Sequence, residues 1–193
     1  MIKAIIFDFG NVIGKSKIGV YDIISNKTKI SKEKVKESIK DIIHESQIKE
    51  IEENVFWKRV DGRLGTTLKK DSKKISRALS YFEIDKGVIG IIRKLGKYKR
   101  GLISNISSSY IKKRANVNNL FNVVIRSCEI GYRKPSKEIY LLALKELGVN
   151  PKETVYVDDT KDHVEMAENL GLKGIVYKNP DQLRKELKKL KIL

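Results

Sequence analysis

Apolar residues along this chain follow two rhythms. Five short runs rich in β-branched or aromatic residues, at 3–8, 101–104, 122–126, 154–158 and 174–177, are bounded by turn residues, which predicts strands. Between the later runs the spacing becomes helical: Ile139, Leu142 and Ala143, then Val164, Ala167 and Leu170, each stretch stopping at a glycine, Gly148 or Gly171. Pro135 and Pro180 suit the first turns of a helix over 135–147 and of a C-terminal one. Strands that alternate with helices imply an α/β fold, a doubly wound, Rossmann-like parallel sheet with helices on both faces.

The connection after the first strand breaks this alternation. From about residue 14 to 96 no run reads as a strand, whereas Val35/Ile39/Ile42/Ile43, Ile48/Ile51/Val55 and Ile75/Leu79/Phe82 are amphipathic at helical spacing. Residues 14–85 are too many for one crossover helix, so they predict a small all-helical cap inserted after the first strand, with 86–96 as the crossover helix. The expected division is a Rossmann-like core of 1–13 plus 86–193 and a lid-like helical cap of 14–85. Val55, Phe56, Trp57 and Val60 read as cap core rather than as a substrate pocket.

Composition narrows the setting. The 193 residues carry one cysteine and two histidines, which excludes a disulfide framework and leaves a Cys/His zinc site without ligands, so any metal must be held by oxygen. The N-terminal run is interrupted by Lys3 and stops at Asp8, too short and too charged for a signal peptide or membrane span, and a cytoplasmic protein is expected. The formal charge of +17 would attract phosphorylated substrates, yet runs such as 32–37 and 184–189 mix signs as solvated helix faces do. No basic stretch is interleaved with aromatics, which disfavours nucleic acid as a partner.

In a doubly wound sheet, ligands sit beyond the carboxyl ends of the strands. Those ends carry Asp8 after the first run, Ser104 and Asn105 after the second, Arg133 and Lys134 in the loop after the third, and Asp158 and Asp159 after the fourth. Each has an ordinary reading: Ser104 and Asn105 as caps of a helical stretch at 109–115, Lys134 as a surface lysine, Asp158 and Asp159 as caps of the following helix. His44 and His163 read as packing or surface residues and Asp162 as a first-turn acid. Taken together, three carboxylates converging on one crevice need a cation to stay ionised, and Mg²⁺, which favours oxygen ligands and phosphate, is the natural one. A free carboxylate can attack phosphorus, while a hydroxyl, backbone N–H groups and a lysine can hold the phosphoryl oxygens.

In order, Phe-Asp-Phe-Gly-Asn-Val, Ile-Ser-Asn, Lys-Pro-Ser-Lys-Glu-Ile-Tyr and Val-Asp-Asp resemble the motifs of the haloacid dehalogenase superfamily of phosphohydrolases, in its helical-cap subfamily I. The resemblance implies Asp8 as nucleophile, Ser104 and Asn105 at the phosphate, and Lys134 balancing the charge of both. It implies Mg²⁺ held by Asp8, the Gly10 main-chain carbonyl, Asp159 and Asp158, and a small phosphorylated metabolite as substrate.

One position departs from the family's usual pattern: Gly10 stands where an acid/base aspartate is common. General acid–base catalysis contributes roughly 10²–10⁴-fold, so this Asp-x-Gly-Asn-Val form implies a substrate with a good leaving group such as a sugar or acyl phosphate, a substitute group from the cap, or slow turnover. The rivals are a weak or inactive phosphate- or partner-binding module, a true haloacid dehalogenase, and a P-loop NTPase built on Gly10–Ser16. That last motif has three residues between its glycines rather than four.

Overall fold

A computed structural model describes residues 1–108 and 115–193, so most of the helical stretch expected at 109–115 lies outside the described residues. Five parallel strands form one sheet: β1 (Ala4–Asp8), β4 (Lys99–Ser104), β5 (Val123–Arg126), β6 (Thr154–Asp158) and β7 (Lys173–Val176), in the order β5-β4-β1-β6-β7. All five expected strands are present, with ends shifted by up to two residues.

The pleat of β1 explains the two layers. Ile5 and Phe7 face a core built with Val88, Ile91 and Ile92 of α5 (Lys86–Lys94) and Leu183 and Leu187 of α9 (Pro180–Lys189). Ala4 and Ile6 face the opposite core, with Ile139, Tyr140 and Ala143 of α7 (Lys137–Leu147) and Val164 and Ala167 of α8 (Lys161–Asn169). Every residue of β1 is buried, as a central strand covered on both faces requires. Pro180 occupies the first turn of α9 as expected. Pro135 does not belong to α7, which begins two residues later behind Ser136 at its N-cap.

Between β1 and α5 the chain forms α1 (Val20–Thr28), α2 (Lys32–Ser46), α3 (Glu53–Leu64), a 3₁₀ turn (Leu68–Asp71) and α4 (Ser72–Leu79). These helices share their own core of Ile24, Val35, Ile39, Ile42, Trp57, Val60 and Ile75. Trp57 and Val60 are core as the pattern predicts, whereas Val55 is exposed.

Two short strands, β2 (Gly14–Ser16) and β3 (Phe82–Ile84), pair antiparallel at the root of the helical insertion, where no strand was expected. Three-residue strands are too short to show a period of two. Gly14 is needed there because a Cβ would come within 2.5 Å of the Phe9 ring. Since Gly14-Lys15-Ser16 form a strand rather than opening a helix, they cannot act as a nucleotide phosphate loop.

Candidate active site

From β1 the chain runs outward to β4 and β5, then returns across β1 to β6 and β7, so the strand order reverses between β1 and β6. A crevice opens at the carboxyl ends of strands that diverge in this way. Asp8 ends β1 and Asp158 ends β6, which sets the two carboxylates on either side of the reversal.

Lys134 joins them. Its ammonium donates to Asp8 Oδ1 at 2.5 Å and to Asp158 Oδ2 at 2.7 Å, and all three side chains are buried. The backbone of Lys134 is fixed by Asn105: Lys134 N–H donates to Asn105 Oδ1 at 2.8 Å, and Asn105 Nδ2 donates back to the Lys134 carbonyl at 3.0 Å. Ser104, the last residue of β4, is buried one position beyond Ile103, which pairs with Asp8. Asp159 is half-exposed, and its Oδ2 accepts from Asn11 Nδ2 at 2.9 Å. Asn11 makes this reach from a left-handed turn, φ 55°, that short polar residues adopt more readily than others.

Charge at the site is unbalanced: one ammonium faces three carboxylates. Burial raises the Asp8 carboxyl to about 6, helped by the Asp158 charge and only partly opposed by Lys134. Burial pushes Asp158 the same way, but Lys134 and His163 outweigh it and hold its carboxyl well below the usual range. Burial would lower Lys134, yet Asp8 and Asp158 together raise it, so it stays an ammonium.

Asp8, Asp158 and Asp159 each offer an oxygen within 4.8 Å of the others, an all-oxygen donor set of excess negative charge that a hard divalent cation fits. Gly10 borders the same space, since a Cβ there would stand 3.6 Å from Asp8 Oδ2.

Several neighbours of Asp158 escaped the sequence reading. The Tyr156 hydroxyl donates to Asp158 Oδ2 at 2.5 Å, His163 Nδ1 lies 3.1 Å from that oxygen, and Thr160 N–H donates to Oδ1 at 2.9 Å. Tyr140 donates to the His163 carbonyl at 3.0 Å. His163 is therefore neither a plain packing nor a surface residue. The available signal was its position in the first turn of α8, five residues after Asp158. His44 has no such carboxylate partner among the described hydrogen bonds and lies on α2 of the insertion.

The sequence pattern of the haloacid dehalogenase-like hydrolases matches residues 2–171. The chain is 27% identical over 207 residues to the D-ribitol-5-phosphate phosphatase of Bacteroides thetaiotaomicron, covering 97% of both proteins. Other curated relatives match over shorter stretches. Bifunctional epoxide hydrolase 2 of Sus scrofa is 36% identical over 70 residues, 36% of this chain and 13% of that protein. The flavin mononucleotide hydrolase 1 of Arabidopsis thaliana is 39% identical over 66 residues, 34% of this chain and 27% of that protein.

Among solved structures, a HAD family enzyme of Bacteroides thetaiotaomicron in complex with magnesium and inorganic phosphate superposes with a TM-score of 0.74 at 24% identity, over 92% of this chain and 95% of that one. The L-2-haloacid dehalogenase of Xanthobacter autotrophicus superposes with a TM-score of 0.67 at 20% identity, over 100% and 85%. At these identities the likeness is one of fold. Among the described residues no helix is long and apolar enough to cross a membrane. With the family's pattern running across both the sheet and the inserted helices, the chain belongs to the haloacid dehalogenase-like hydrolases.

Proposed function

We propose that the protein is a Mg²⁺-dependent phosphatase that cleaves a small phosphomonoester through an aspartyl-phosphate on Asp8. The observation that carries this reading is the buried Asp8–Lys134–Asp158 arrangement at the strand reversal, with a third carboxylate, Asp159, beside it. In this reading Mg²⁺ is held by Asp8, the Gly10 main-chain carbonyl, Asp159 and Asp158, and supplies positive charge for the phosphate oxygens.

The remaining work falls to the chain itself. A carboxylate oxygen of Asp8 attacks phosphorus while the bond from phosphorus to the leaving oxygen breaks, and that oxygen departs with the electron pair. Lys134 neutralises Asp8 and the phosphoryl group, and Ser104 and Asn105 hold phosphoryl oxygens from the end of β4. Water then hydrolyses the acyl phosphate and frees Asp8. Residues 1–13 and 86–193 act as the catalytic core, and the helical unit of 14–85 serves as the cap that covers it and selects the substrate.

Phosphate release from a panel of phosphomonoesters tests the reading. Release with Mg²⁺, abolished by EDTA and lowered by orders of magnitude in Asp8→Asn, is expected. Gly10 favours a second reading, a phosphate-binding module with little turnover, which predicts Mg²⁺ and phosphate binding without release from any ester.

A further inference from the structure

Between the helical insertion and the loop after β4 lies a cavity of about 210 Å³ whose wall is mainly apolar, formed by Ile18, Val20, Ile43, Phe56, Trp57 and Phe82 among others. Phe56 and Trp57 thus line a pocket as well as belonging to the cap's packing. Asn105 forms part of the wall and also holds the backbone of Lys134, whose ammonium rests on Asp8, so this one residue links the cavity wall to the buried Asp8–Lys134 pair.

Several polar side chains of this wall bond to one another or to nearby backbone. Ser16 donates to the Ile18 carbonyl at 2.7 Å, Ser76 to Glu53 at 2.6 Å, and Ser46 and Ser107 bond each other at 2.7 Å. Gln47 Oε1 accepts from Arg133 Nε at 2.9 Å, and Asn105 makes its two bonds to Lys134. An apolar ligand gains by leaving water for the aliphatic and aromatic part of this wall.

Gly10 bears independently on the same question. Position 10 has no carboxyl to protonate the departing oxygen, which favours a leaving group that is stable as an anion. A phenolic oxygen, with a pKa of about 10, does so far more easily than an alkyl alcohol, whose pKa lies near the ~15.7 of water.

Building on the phosphatase reading, we propose that the substrate is the phosphate monoester of an aromatic, phenol-like alcohol, its ring seated in this cavity. An oxygen of Asp8 bonds to phosphorus as the bond from phosphorus to the phenolic oxygen breaks. The electron pair remains on that oxygen, so the alcohol leaves as phenolate and no proton from the protein is required at this step.

The test compares kcat/KM, with Mg²⁺, for 1-naphthyl phosphate, ribose 5-phosphate and acetyl phosphate. Naphthyl phosphate is expected to exceed ribose 5-phosphate by tenfold or more. Because acetyl phosphate has a good leaving group but no ring, Phe56→Ser should lower the ratio of naphthyl to acetyl turnover by about tenfold, the scale of an apolar pocket contact. Inhibition by 1-naphthol but not by ribitol at equal concentration gives a reading in the unaltered protein. Faster turnover of ribose 5-phosphate, or inhibition by ribitol alone, overturns the aromatic substrate and leaves the phosphatase standing. No phosphate release from any of the three overturns both.

Discussion

Asn105 and Lys134 hold one another by two opposed hydrogen bonds, of 2.8 and 3.0 Å, between the amide of one and the peptide backbone of the other. The loop that carries Lys134 is thereby fixed to the end of β4, beside the strand that carries Asp8. Truncation by Asn105→Ala removes both bonds and leaves backbone groups of Lys134 unpartnered, at a cost of about 1–3 kcal/mol. The expected outcome is a lower Tm together with a kcat reduced by tenfold or more. An unchanged kcat would mean that the loop needs no such fixing.

Lys134 itself is a buried cation between two buried anions. Breaking such an arrangement from one side costs about 3–5 kcal/mol, or roughly 10 °C in Tm for a chain of this length. Lys134→Met should therefore unfold early in metal-free buffer and recover part of its Tm when Mg²⁺ is added. Thermal denaturation with and without the ion measures both effects.

Position 10 has room for a Cβ, which would meet Asp8 Oδ2 at 3.6 Å, an ordinary contact. Gly10→Asp is expected to raise kcat on alkyl phosphates, within the ~10²–10⁴-fold range of general acid catalysis, and to leave aryl phosphates nearly unchanged. Equal effects on both classes would show that leaving-group protonation is not limiting.

On the insertion, Glu45 of α2 bonds Arg59 of α3 at 2.6 Å and also pairs with Lys49. These hydrogen bonds, Arg59 first, hold its carboxyl down at about 2. A carboxylate depressed in the folded state adds stability that is complete above its ordinary pKa of 4.5 and fades as pH falls toward 2. The sites are solvent-screened, so the gain is below about 1 kcal/mol per pair. Glu45→Gln should lower Tm by a small amount at pH 7 and by progressively less as pH approaches 2, measured as paired melting curves.

The strands and the acids at their ends were legible because a buried parallel strand leaves a continuous apolar run and stops abruptly at its polar end, as at Phe7-Asp8 and Val157-Asp158. The pairing of β2 with β3 was not, because Gly14-Lys15-Ser16 has neither length nor alternation and is set by the close approach of Gly14 to Phe9. Partnerships made in space were hidden as well. His163 lies in a stretch of helical spacing, yet the first turn of α8 returns it to Asp158, and Tyr156 belongs to an apolar run although its hydroxyl bonds the same carboxylate. Pro135 looked like a helix start, but it belongs to the loop that Asn105 pins, and the helix waits for Ser136.

In the proposed mechanism Asp8 takes the phosphoryl group. Acid-quenched mass spectrometry of the protein during turnover with Mg²⁺ measures this directly. The added mass of one phosphoryl group is expected on the peptide that contains Asp8, absent in Asp8→Asn and absent when EDTA is added first. Phosphate release in which the Asp8 peptide never gains that mass, or gains it on another residue, would contradict it.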